Sequence, residues 1–333
     1  MSAGEIGVGV VGLGFMGRTH VEAWARARAA GESCRLVAVA DPDPKKRSGR
    51  VPATGNLGGG GDEAPLFSPD EVRGHATPEE LFADPSVSVV SLCTPTPTHV
   101  DLAAAALRAG KHVLCEKPVD LDPARIRALA AVAADAGRLC LPAMCMRFWP
   151  GWDWLAGAVA SGRHGAVRSA TFRRLGSLPG WSRDFYADME RSGGALVDLH
   201  VHDVDFVLGL FGVPDEVRAT GNALHVTALY RYADGPVHVS AEGAWDQQPG
   251  APFRMSYLVN FERATADFEL GRETLLFLAE GGERRAVALE DGDGYLGEVR
   301  HLLAVLRGET PPRVDLEDAA RAAELILRER AAL

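Results

Sequence analysis

The sequence predicts an α/β protein in two parts: an N-terminal doubly wound parallel sheet, then an α+β domain with a large, mostly antiparallel open sheet. Three observations carry this. The first half alternates short apolar runs with alanine-rich helical stretches, as strand–helix–strand crossovers do. From about residue 150, longer runs alternate apolar and polar residues, which suits strands with one covered face. A length of 333 residues exceeds the ~250 to 300 that a single core usually organises. The expected division is residues 1–148 and 149–333.

In chain order, residues 6–11 form a compact β-branched run leading into glycine, a buried parallel strand. Residues 19–30 read as a helix and 36–40 as a second strand, closed by Asp41-Pro42-Asp43-Pro44. Residues 87–93 are a strand that stops at Thr94-Pro95-Thr96-Pro97-Thr98, because proline has no N–H for a ladder. A helix over 100–109, a strand over 112–115, a helix over 123–136 and a strand over 139–144 complete the series. Residues 49–75 fit it badly. With Gly58-Gly59-Gly60-Gly61 and Pro52, Pro65 and Pro69, they read as a flexible surface insertion where a helix and strand would be expected.

In the second half, Val226, Ala228, Tyr230 and Tyr232 share one strand face, and Val237, Val239, Ala241 and Trp245 share another. Asp234-Gly235 between them signals a hairpin turn. Phe253, Met255, Tyr257, Val259 and Phe261 repeat the pattern, and a further hairpin is expected around Gly281-Gly282. Helices over 296–306 and 316–328 close the chain. One face of such a sheet needs cover, from helices or from a second copy, so a homodimer or homotetramer through this sheet is expected.

The formal net charge of −10 disfavours a nucleic-acid partner, which needs a basic stripe. Five cysteines without a CxxC pair read as free thiols in a reducing compartment. No apolar run reaches the ~18 residues of a membrane span, and no basic, cleavable leader precedes Ile6. The expected location is the cytoplasm.

Gly12-Leu13-Gly14-Phe15-Met16-Gly17 directly follows the first strand and opens a helix. In that context the glycines allow a tight turn, close approach of a pyrophosphate and close helix–strand packing. The helix N-terminus offers N–H groups and partial positive charge to phosphates. Asp41 ends the next strand, 24 residues after Gly17, near the spacing of a ribose-binding carboxylate. Such a carboxylate repels a 2′-phosphate, which favours NAD. Lys45, Lys46 and Arg47 lie just beyond and would tolerate that phosphate, so NADP stays open.

Lys117 follows a strand end, the edge at which open α/β sheets bind ligands, and could polarise a substrate hydroxyl. The segment from Ser192 to Phe206 is the richest in chemistry. If helical, Asp198, His202 and Asp205 fall at i, i+4 and i+7 on one face, and a carboxylate-oriented histidine suits a general base. His200 lies about 200° around the helix from Asp198. Two histidines and three aspartates in eight residues also invite a metal reading, which the apolar spacing disfavours by favouring helix over strand. Trp181, Arg183 and Tyr186 lie in a loop that reads either as a pocket wall or as a surface turn.

In order and spacing these motifs resemble the glucose–fructose oxidoreductase / inositol dehydrogenase (Gfo/Idh/MocA) family. The matching residues are Gly12, Gly14 and Gly17, then Cys93-Thr94-Pro95 with Thr98-His99, Glu116-Lys117-Pro118 and Arg147-Phe148-x-Pro150. Gly193-Gly194-x-Leu196-x-Asp198, His202-Asp203-x-Asp205, Tyr295-x-x-Glu298 and the helix start at Asp315 follow. The resemblance implies a Rossmann domain that binds NAD(P), then a substrate-binding and oligomerisation domain. It also implies catalysis by Lys117, Asp198 and His202, with Thr94, Pro95, Thr98, His99 and Glu116 on the cofactor side and Arg147 near substrate. Two features depart from the family pattern. His200 stands where many members carry glycine or another small residue, which would alter substrate contacts, and the 49–75 segment replaces an ordinary crossover.

The implied activity is hydride transfer between nicotinamide and a secondary alcohol or ketone of a sugar, cyclitol or related polyol. The competing readings are a dinucleotide-binding sensor without turnover and a reductase acting on a dihydrodiol or imine, since fold does not entail function.

Overall fold

A computed structural model describes residues 4–52, 65–180 and 183–333. They form two compact units: the described residues up to Cys145 together with Tyr295–Ala320, and Met146–Gly294 together with Arg321–Leu333.

In the first unit, strands β1 (Ile6–Val11), β2 (Cys34–Ala40), β3 (Arg73–His75), β4 (Val89–Leu92), β5 (His112–Cys115) and β6 (Cys140–Pro142) form one sheet in the order β3-β2-β1-β4-β5-β6. Every pairing is parallel. The helices are α1 (Phe15–Ala29), α2 (Pro44–Arg47), α3 (Pro78–Ala83), α4 (His99–Arg108) and α5 (Pro123–Ala136). The strand order reverses between β1 and β4, so the loops after these two strands flank the crevice where ligands bind in such sheets.

Local chemistry explains the helix bounds. Asp43, Thr77 and Asp122 cap the N-termini of α2, α3 and α5 through side-chain oxygens, with proline following each cap. Gly137 ends α5 at φ +60°, a left-handed cap that suits glycine. Helix α1 begins at Phe15, four residues earlier than the expected start at Thr19, because Gly17 lies inside the helix. A Cβ there would collide with the Gly12 carbonyl oxygen.

The expected insertion over 49–75 is corrected at both ends. Val51 and Val72 are buried, Leu66 and Phe67 pack on the same core, and β3 extends the sheet. Apolar side chains anchor the segment despite its prolines and glycines. Gly58 to Gly61 lie outside the described residues.

The second unit contains β7 (Val167–Leu175), β8 (Glu216–Gly221), β9 (His225–Arg231), β10 (His238–Ala244), β11 (Arg254–Phe261), β12 (Ala264–Glu269), β13 (Leu276–Glu280) and β14 (Glu283–Ala286). They form an eight-stranded sheet in the order β14-β13-β12-β11-β7-β10-β9-β8. All pairings are antiparallel except β7 with β10. The hairpins around Asp234-Gly235 and Gly281-Gly282 form as expected. Val237 does not join the buried face of its strand: it is exposed, one residue before β10 begins.

The helices of this unit include α6 (Pro150–Ser161), α7 (Arg183–Tyr186), α8 (Met189–Ser192) and α9 (Val201–Phe211). Its core centres on Trp152, set edge-on against Tyr257 and Phe268 at 5.2 and 4.7 Å between ring centroids. The tail forms α10 (Gly294–Leu306) and α11 (Leu316–Ala331). Val299, Leu302 and Leu303 of α10 pack into the core of the parallel-sheet unit, so residues 295–320 depart from the simple division into 1–148 and 149–333.

Candidate functional site

The glycine turn after β1 divides its work among its three glycines. Gly12 has φ +85°, and a Cβ on it would meet the Cys93 carbonyl oxygen at 2.7 Å. Gly17 allows the close return of α1 onto the turn. A Cβ on Gly14, by contrast, would meet nothing within 4 Å. Gly14 is also the cap residue of α1, with neither a side-chain cap nor an acidic residue in the first turn. A helix start with no side-chain cap of its own is a place a pyrophosphate fits.

Asp41 lies beside this turn and is 7% exposed. Its Oδ2 accepts a hydrogen bond from the Leu13 amide at 2.8 Å, and its Oδ1 accepts one from the Asp43 amide at 2.9 Å. Lys46 Nζ approaches Oδ2 at 3.8 Å, while Arg47 donates to the Asp41 carbonyl at 2.7 Å. Two of the three cations beyond Asp41 therefore fold back onto it.

Across the crevice, Thr94 is half-buried and Pro95 and Thr98 are exposed, with Thr98 Oγ1 2.7 Å from Thr94 Oγ1. His99 is buried between two loops: Nδ1 lies 2.8 Å from the Pro118 carbonyl and Nε2 2.6 Å from the Thr94 carbonyl. Burial pushes its pKa down, outweighing the two carbonyls. A neutral ring carries one N–H, so it donates to one of the two oxygens. His99 thus ties the Lys117-Pro118 loop to the Thr94 loop from beneath.

Glu116 is also buried. Its Oε1 lies 2.9 Å from His20 Nε2, and its Oε2 accepts from the Lys117 amide at 3.0 Å. Burial pushes this carboxyl up, but the His20 hydrogen bond and the charges of His20 and Lys117 outweigh it, and the pKa is lowered overall. Glu298 of α10 approaches the same His20 nitrogen at 3.7 Å. These three side chains could offer ligand atoms to a metal, but Glu116 and His20 are already at hydrogen-bond distance. Lys117, next in the chain, is half-buried.

In the other unit, Gly193 (φ +73°) and Gly194 (φ +69°) lead into a π-helical turn, Ala195–Leu199, which continues through His200 into α9. The extra residue in this turn departs from the regular helix expected over the segment; such bulges favour functional sites. The acidic and imidazole side chains then separate by burial. His200, Asp203 and Asp205 are at most 1% exposed. Asp203 is gripped by Arg174 through two 3.0 Å hydrogen bonds, and Asp205 by Arg147 at 2.7 and 2.8 Å. His200 Nε2 lies 3.2 Å from Glu329 Oε2. Only Asp198 and His202 are half-buried within the eight-residue run.

Arginine thus holds two of the three aspartates, and Glu329 faces His200. The expectation for His200 is corrected: it is fully buried and so does not touch a substrate. Asp205 is buried against Arg147, whereas Asp198 and His202 are half-buried. The partners Arg174, Glu329 and His20 escape sequence reading, although Arg174 left a signal. It alternates with Ala170 and Phe172 on the inward face of β7, where a charge requires a partner. Tyr186 packs edge-on against Trp245 at 5.3 Å between centroids, and Trp181 lies outside the described residues.

Two family models match. Residues 6–144 fit the oxidoreductase family with an NAD-binding Rossmann fold, and residues 153–272 the GFO/IDH/MocA C-terminal domain. Among curated proteins, an inositol 2-dehydrogenase of Rhizobium meliloti (strain 1021) is 31% identical over 297 residues, 86% of this chain and 79% of that protein. A D-xylose 1-dehydrogenase (NADP(+)) of Haloferax volcanii is 29% identical over 280 residues, covering 78% and 85%. Among solved structures, a UDP-N-acetylglucosamine 3-dehydrogenase of Acidithiobacillus ferrooxidans superposes with a TM-score of 0.78 at 25% identity, over 98% of this chain and 97% of that one.

Proposed function

The chain belongs to the Gfo/Idh/MocA oxidoreductase family, and on that premise we propose that it oxidises a secondary alcohol of a sugar, cyclitol or related polyol, or reduces the matching ketone. The observation that carries this reading is the sorting of residues 198–205. Every buried charge in the run faces a partner, and Asp198 and His202 alone are half-buried. Names of relatives that act on inositol and xylose support the substrate class.

The dinucleotide, when bound, supplies the hydride acceptor or donor. Gly12, Gly14 and Gly17, with Phe15 and Met16 at the start of α1, hold its pyrophosphate, and Asp41 its adenosine ribose. Thr94, Pro95 and Thr98 line the nicotinamide side, with His99 and Glu116 fixing those loops from behind. NAD is the preferred form because Asp41 repels a 2′-phosphate. Lys46 and Arg47, folded back onto Asp41, offer little to such a phosphate.

His202 takes the proton of the substrate hydroxyl as general base. Lys117 donates a hydrogen bond to the same oxygen and stabilises the alkoxide charge that develops there. Asp198 orients the imidazole or holds a neighbouring hydroxyl. Arg147, held by Asp205, is the further residue assigned to substrate binding.

A homodimer or homotetramer would form through the outer face of the antiparallel sheet, where Leu229 and Leu258 are 43% and 45% exposed. The cytoplasm suits the five free thiols. Among the described residues no helix is long and apolar enough to cross a membrane. The test is a panel of sugars and polyols assayed for nicotinamide absorbance with NAD and NADP separately. A polyol turned over with NAD supports the reading; cofactor binding without turnover across the panel supports a sensor instead.

A further inference from the structure

His200 occupies a mechanical junction. Its amide donates to the Ala195 carbonyl at 2.8 Å, closing the π turn, and its carbonyl accepts from the Asp203 and Val204 amides at 3.0 Å, starting α9. Asp198 lies two residues before it and His202 two residues after. Any displacement of His200 therefore changes the relation between those two side chains.

Three elements of the sheet and the C-terminal helix hold this junction. Gly243 on β10 makes room for the ring: a Cβ there would meet His200 Cβ at 2.9 Å and Nδ1 at 3.1 Å. Glu329 on α11, fully buried, sets Oε2 3.2 Å from His200 Nε2. The pair is an ion pair whenever the imidazole is protonated. Tyr230 on β9 orients Glu329 by donating from its hydroxyl to Oε1 at 2.6 Å. Beside them, Arg174 on β7 pins Asp203. Burial alone pushes the His200 ring towards neutrality. Glu329, and then Asp203, outweigh burial and the opposing charge of Arg174, and its pKa is raised.

A paired charge in a core is often no more stable than an apolar replacement of the same shape, so stability alone explains it poorly. A fixed position explains it better. We propose that the His200–Glu329 pair is a positioning device by which the C-terminal helix sets the junction between the turn carrying Asp198 and the helix carrying His202. Both are positioning residues that touch no substrate. The inference rests on the roles of Asp198 and His202 proposed above.

Glu329→Gln tests it, since the amide keeps the shape and an acceptor for Tyr230 but loses the charge. Expected are a kcat about tenfold lower on the substrate found by the panel, a KM within about twofold, unchanged NAD affinity, and faster amide exchange over residues 195–205; small misplacements of catalytic groups cost this much. The double variant His200→Asn/Glu329→Gln, a neutral pair, should recover part of the loss. If Glu329→Gln fails to fold, Tyr230→Phe replaces it, with a smaller change in the same direction. A lowered melting temperature with wild-type kcat, or unchanged exchange over 195–205, overturns the proposal. Absence of wild-type turnover across the whole panel overturns the functional reading instead, and the exchange measurement then decides this one.

Discussion

The Leu13 amide donates a 2.8 Å hydrogen bond to Asp41 Oδ2, so the carboxylate expected to bind the cofactor ribose also braces the glycine turn. Its replacement acts on both. Asp41→Ala should weaken NADH binding about tenfold or more, as expected for losing hydrogen bonds to a charged acceptor, while NADPH binding falls less. Fluorescence titration with both reduced cofactors checks this. An unchanged NADH-to-NADPH ratio would remove Asp41 from the ribose site.

The buried Glu116 carboxylate contributes to acid stability. Its folded pKa lies below the ordinary 4.5, so its contribution is present above about pH 4.5 and is lost as pH falls through the folded value. Glu116→Gln should flatten that part of the stability-versus-pH curve in urea unfolding between pH 5 and 3 (about the range in which carboxylates titrate). A parallel curve, merely offset from wild type, would contradict this account.

The Gly243–His200 contact predicts a size rescue. Gly243→Ala should cost about 1 to 3 kcal/mol through overpacking against the imidazole. Adding His200→Gly, which empties the space, should return part of that loss. Chemical denaturation of the two variants measures it, and additive losses would show that the ring does not occupy the space beside Gly243.

Arg147 and Asp205 form a bidentate pair with Asp205 only 1% exposed. Arg147→Ala leaves that carboxylate unpaired, at a cost of about 3 to 5 kcal/mol in unfolding free energy. Arg147→Lys should recover only part, because one ammonium cannot reproduce the two-pronged contact. A loss below about 1 kcal/mol for Arg147→Ala would mean that water replaces the guanidinium easily.

Much of this was legible in the sequence because it depends on local chemistry. The glycine turn, Asp41, the strand before Lys117 and the two hairpins all announce themselves by spacing and turn residues. The start of helix α1 differs from the expected one because Gly17, assigned to the turn, is inside the helix for a packing reason. The segment around β3 is not legible locally, because its proline and glycine content masks the core anchors Val51, Leu66, Phe67 and Val72. Pairings such as His200 with Glu329 span 129 positions (329 − 200), and His20 with Glu116 spans 96. No local period reports these. The pairing of Asp205 with Arg147, 58 positions away, is equally invisible to local spacing.

The central claim is that His202 and Lys117 carry the proton and charge stabilisation of a hydride transfer. Steady-state kinetics of His202→Ala and Lys117→Met on the substrate found by the panel, paired with NADH titrations, test it most directly. Each variant should lose at least about 100-fold in kcat while binding NADH nearly as wild type does. Wild-type turnover in either variant would contradict the account.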